Sequence, residues 1–138
     1  MSESFVLTSV KGNARLELRW QDAKSDLMTV KLDFENLNAS APVYAYMKLQ
    51  ILTDLFANMA SHWKGWSGEK SWESLEGELK LRCTSDTGGH ITIQVELTSG
   101  HGHVPPTWKL GAVLVTEAGQ LDTIASNFKA FALQTPAA

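Results

Sequence analysis

Residues 62–81, HWKGWSGEKSWESLEGELKL, stand where a helical pattern gives way to strands, and they place three of the chain's five tryptophans within ten residues, among glycines, serines and lysines. Upstream, Leu49, Leu52, Phe56, Met59 and Trp63 recur every three or four positions, the apolar stripe of an amphipathic helix that ends near Gly65. Downstream the period is two: Leu79, Leu81 and Cys83 alternate with Glu78, Lys80 and Arg82. The segment between reads as a ligand site or as a lid on the core, and the two are not exclusive. As a lid, it would bury Trp63 and at least one of Trp66 and Trp72 against a second helix at Leu121, Ile124 or Phe128. As a site, Trp63, Trp66 and Trp72, with Glu73 and Glu76 close behind and His62 nearby, would line an aromatic pocket for a cation or a planar ligand.

Working outward, Leu16, Leu18 and Trp20 alternate with Arg15, Glu17 and Arg19, and Met28, Val30, Leu32 and Phe34 alternate with Thr29, Lys31, Asp33 and Glu35. These are half-buried strands, preceded by one at Phe5 and Leu7 and a turn at residues 11–13. Residues 38–47 give a fourth strand, which Pro42 marks as an edge or a bulge because proline cannot donate to a ladder. After the tryptophan segment come strands at residues 78–83, 91–98 and 107–116, the first two joined by the loop at residues 85–89. Leu121, Ile124, Ala125, Phe128 and Phe131 then mark the second helix. No repeat or linker is visible. The pattern predicts an α+β fold in one domain, residues 1–138: four strands, a helix, three strands, a helix, forming an antiparallel sheet of about seven strands with both helices on one face.

Such a sheet would leave Arg15, Arg19, Lys31, Lys80 and Arg82 in water among Glu17, Asp33, Glu35, Glu78 and Glu96. The signs are mixed and the net charge is −3, so nothing supplies the gathered basic surface that a nucleic-acid reader needs. At 138 residues, 43% hydrophobic and 20% charged, the chain can bury a core without a metal or a disulfide. Cys83 is the only cysteine, and the chain starts without a basic segment followed by an apolar run; a cytoplasmic setting is the simplest expectation. No apolar run reaches the roughly 18 residues of a membrane span.

Catalytic motifs are weak. Ser67-Gly-Glu-Lys70 matches an acyl-transfer pattern, yet its companion motifs are missing. His101 and His103, with His90 in a neighbouring loop, are the candidate metal ligands, and no cysteine or carboxylate nearby in sequence completes the set. Cys83 shares the apolar register of Leu79 and Leu81, which marks a small core residue rather than a nucleophile. No phosphate loop is present, so no cofactor is expected. Asn38-Ala-Ser40 matches a glycosylation acceptor without a secretory context.

The residues Trp63-Lys-Gly-Trp66-Ser-Gly68, then Trp72-Glu-Ser74-Leu-Glu76-Gly-Glu-Leu79-Lys-Leu81, resemble the signature of a small bacterial family known only as a domain of unknown function. Asp86 to His90, Trp108 and Ala118-Gly119-Gln-Leu121 extend the likeness over about the final two thirds. The resemblance implies a stand-alone cytoplasmic bacterial domain and assigns no activity, cofactor or catalytic residue. Two functions follow from the residues: a non-catalytic binding or accessory module, immunity-type among them, that engages a protein partner, or a small-ligand-binding protein or enzyme built on the tryptophan segment.

Overall fold

The computed structural model describes residues 4–22, 26–45, 48–99 and 105–133. Strands β1 (Ser4–Thr8), β2 (Arg15–Asp22), β3 (Leu27–Phe34) and β4 (Leu37–Tyr44) form an antiparallel meander, followed by helix α1 (Lys48–Ser61). A second meander, β5 (Lys70–Glu73), β6 (Leu79–Ser85), β7 (His90–Thr98) and β8 (Lys109–Glu117), leads through a 3-10 turn at Ala118–Gln120 into helix α2 (Leu121–Leu133).

The expected sheet of about seven strands is therefore two sheets of four, with the same order of elements occurring twice. The eighth strand, β5, lies inside the tryptophan segment and pairs Trp72 with Leu81. The first sheet stops at β4 for a reason written in its sequence. Pro42 brings no N–H, and Tyr44, two residues on, sends its N–H away from β3 to the Glu78 carboxylate instead of to another strand.

Alternation along the strands builds one core from both sheets. Phe5, Leu16, Leu18, Met28, Val30 and Leu32 are buried from the first; Leu79, Leu81, Cys83, Ile93, Val95 and Leu114 from the second. The helices lie side by side, α1 touching β5 and α2 touching β1, so each helix packs on the first strand of the other half. The Phe128 ring meets Phe5 edge-on at 5.0 Å and lies 5.0 Å from Phe56, joining β1, α1 and α2 through aromatic contacts. Trp20 stacks on Phe131 at 5.3 Å and donates its indole N–H to the Phe131 carbonyl, which fixes the end of α2 on β2.

Lys31 and Gln94 face solvent, while Val30, Leu79 and Ile93 are buried, as the alternation predicts. Two carboxylates depart from it. Glu17 is buried on the outer face of the first sheet, flanked by Arg19 at 3.3 Å and Arg15 at 3.6 Å. Glu78 is 1% exposed. It precedes β6 rather than sharing its pleat, so the period-two rule does not govern it.

Beside the Trp20–Phe131 bond, polar links between described residues tie the two sheets together at two places. At one, the Ser74 hydroxyl donates to Glu78 Oε1 at 2.6 Å and accepts the Leu79 N–H at 3.1 Å, while Glu78 Oε2 takes the Tyr44 N–H. At the other, the Val10 N–H donates to the Val115 carbonyl at 2.8 Å, and the Val115 N–H donates to Ser9 Oγ at 2.9 Å.

Candidate functional site

The three tryptophans of residues 62–81 lie in three environments. Helix α1 ends at Ser61, two residues short of Trp63, and Gly65 closes it by donating its N–H to the His62 carbonyl. Trp63 thus leaves the helical stripe and is 55% exposed, not buried as a lid would require, with the Lys64 ammonium 5.5 Å from its ring centre. Gly65 has φ +120° and passes so close to β6 that a Cβ would sit 3.2 Å from Ser85 Oγ. Trp66 is half-buried on that strand, donating its indole N–H to the Cys83 carbonyl at 3.3 Å, under the Lys70 ammonium. Trp72 points inward from β5 and is 5% exposed.

Glu73 and Glu76 are exposed, Glu73 opposite Lys80 in the β5–β6 pair and Glu76 in the turn beyond it. Of the five predicted ligand residues, Trp72 and Glu73 line a common groove of about 460 Å³ at the β5 edge, with Ile51, Ser71, Lys80 and Arg82. Trp63, Trp66 and Glu76 do not line it. His62 is exposed and its Nδ1 lies 2.8 Å from the Asn58 carbonyl, a bond at the end of α1.

His101 and His103 lie outside the described residues. His90 is held by Asp86: the carboxylate accepts the N–H groups of Gly88 and His90, each at 2.8 Å, and lies 3.2 Å from His90 Nδ1. Those bonds, the His90 N–H first, hold the Asp86 carboxyl below its usual range. Among the described residues, no three His, Cys, Asp or Glu side chains are grouped to hold a metal ion. Cys83 is fully buried, and burial, with the Glu69 charge second, pushes its thiol up to about 12. A neutral thiol of that kind is a poor nucleophile.

A different surface gathers exposed apolar side chains. Leu37 and Trp108 line one groove of about 420 Å³, where the start of β4 approaches the start of β8. Val113 lines the next, of about 340 Å³, across from Phe34 and the turn at residues 11–14. Leu37 and Val113 are each 53% exposed. Sequence periodicity missed this surface because its residues come from two sheets whose approach no local pattern encodes. Pro42, which marks β4 as an edge, and the apolar Val113 on the outward face of its strand were its visible signals.

A family model matches residues 8–135, from the last residue of β1 to beyond α2, and its description is a family of unknown function, DUF6228. The chain belongs to this family. The DUF6228 match covers both sheets and both helices and brings no activity with it. No curated protein matches the chain, and no solved structure does. No described helix is long and apolar enough to cross a membrane.

Proposed function

We propose that this protein is a non-catalytic binding module, accessory or immunity-type, that recruits or neutralises a protein partner through the surface where β4 and β8 approach. The observation that carries this is the placement of Leu37, Trp108 and Val113, exposed apolar side chains along adjoining grooves beside one strand. Apolar residues grouped in this way mark interaction surfaces, and Trp is the residue type most enriched at binding hot spots. Polar groups of catalytic type are engaged elsewhere: Ser9, Ser74 and Glu78 join the two halves, and Asp86 fixes its own loop. The bacterial cytoplasm is the setting we assign, which the single free, buried Cys83 suits.

The test is affinity capture from the native cell with the wild type and with the double variant Trp108→Glu, Val113→Glu. The expected result is a partner recovered by the wild type and lost from a double variant whose thermal midpoint is unchanged. Recovery of the same proteins by both would contradict the assignment.

A second function has one observation in its favour. The groove at Trp72 and Glu73 has a volume within the range of small-molecule sites, and Lys80 and Arg82 offer it two cations, with the carboxylates of Glu69 and Glu73 on the same walls. A thermal-shift screen of small anions checks it: a rise in midpoint that Lys80→Ala removes would support a ligand site there.

A further inference from the structure

Val115 directs both of its backbone groups away from β7, its carbonyl to Val10 and its N–H to Ser9. At the two ends of the same strand, the Trp108 carbonyl accepts from Ser99 and the Ala118 N–H donates to Gly89, both on the β7 side. Alternate residues of a strand send their backbone groups the same way. Leu110, Ala112, Leu114 and Thr116 therefore bond to β7, and Lys109, Gly111 and Val113 present three N–H and three C=O groups outward from the sheet. Among the described residues nothing pairs with those groups.

An unpaired edge of this kind is a template for one more strand. Ser9 and Val10 already bond to it at Val115, and the edge continues from there toward Lys109 with open grooves beside it. We propose that the free edge of β8 binds an extended segment of a partner protein as an added strand, with apolar and acidic residues alternating along it. This rests on the docking surface assigned above and names what docks there.

The alternation follows from the two sides of the edge. On one side the grooves present Phe34, Leu37, Ala39 and Leu110, which suit apolar side chains. On the other, Lys80, Arg82 and Lys109 stand on the outer face of the second sheet with Glu96. With Lys11 and Glu35 included, the surroundings of the edge hold four cations and two carboxylates, although the chain as a whole carries −3. Successive side chains of an added strand point to opposite sides, so one set meets the apolar walls and the other meets the cations. A second copy of this protein is a poor occupant: its own β8 is flanked by the same walls at residues 11–14 and 34–40, and two recessed edges cannot meet.

The experiment pans phage-displayed random short peptides against the full chain and against Val113→Pro. Proline at that position removes an outward N–H while leaving the bonds to β7 intact, as Pro42 does on β4. The expected result is enrichment of peptides with alternating apolar and acidic residues. They should bind Val113→Pro at least about tenfold more weakly, a loss of about 1.4 kcal/mol. On the wild type they should slow hydrogen exchange at Lys109, Gly111 and Val113. No enrichment over the variant, or exchange unchanged at those three amides, would overturn strand addition. Should the cellular partner be lost from Trp108→Glu, Val113→Glu but kept by Val113→Pro, the surface stands and the added strand falls; retention by both variants removes both.

Discussion

Glu78 Oε2 accepts the backbone N–H of Tyr44 at 3.2 Å, which ties the last residue of β4 to the turn that precedes β6. A carboxylate is thus buried between the two sheets, with the Ser74 hydroxyl on its other oxygen. Buried polar groups are tolerated where partners replace water, and here the partners belong to both halves of the molecule.

Glu78→Ala removes the acceptor from the Tyr44 N–H and from the Ser74 hydroxyl, so it should destabilise the protein by about 1 to 3 kcal/mol. Glu76→Ala, the same truncation at an exposed turn position, should stay within about 0.5 kcal/mol of wild type. Urea midpoints of the two variants give the comparison. Equal midpoints would show that the Glu78 link contributes nothing to the join.

The tryptophans separate in the same way. Trp72→Ala opens a cavity in the shared core and should cost roughly 3 to 5 kcal/mol, whereas Trp63→Ala, at an exposed position, should cost under about 0.5 kcal/mol. Trp66→Ala falls between them, losing half-buried area and the bond to the Cys83 carbonyl. Urea unfolding followed by circular dichroism, which all three variants permit, ranks them. Trp63→Ala as costly as Trp72→Ala would contradict the placement of the indoles.

How much of this the sequence disclosed depends on the element. Strands with alternating apolar residues, such as β3 and β7, and the stripes of α1 and α2 were legible because each depends on its own neighbours along the chain. Strand β5 was not: four residues, Lys-Ser-Trp-Glu, carry a single apolar side chain, too little for a period, and the surrounding glycines and serines read as a turn. The division into two sheets was hidden because alternation fixes which residues pair locally and leaves open whether β4 and β5, on either side of a helix, meet. Glu78 was placed in water by a period that begins only at the next residue, Leu79. The β8 edge was invisible for a related reason: which strand ends unpaired is a property of the whole topology.

Cys83 makes a pH-dependent contribution whose sign is fixed. Its thiol is raised from 9.0 to about 12 by burial, so the folded state holds the proton that the unfolded state releases. The contribution to stability is fully present below pH 9.0 and is lost as pH rises toward about 12. Relative to Cys83→Ala, wild type should lose stability across that window, read as the difference between their urea midpoints. At neutral pH the native thiol should resist a disulfide reagent that modifies it readily in urea. Rapid modification of the native protein would contradict its burial.

Strand β8 is bonded along one side and open along most of the other. Amide hydrogen exchange of the protein alone, resolved residue by residue along Lys109–Glu117, measures this directly. Slow exchange is expected at Leu110, Ala112, Leu114 and Thr116, whose N–H groups face β7, and at Val115, whose N–H is held by Ser9, with fast exchange at Lys109, Gly111 and Val113. Uniform protection along the strand would contradict it, because it would mean that the edge assigned to a partner is already paired.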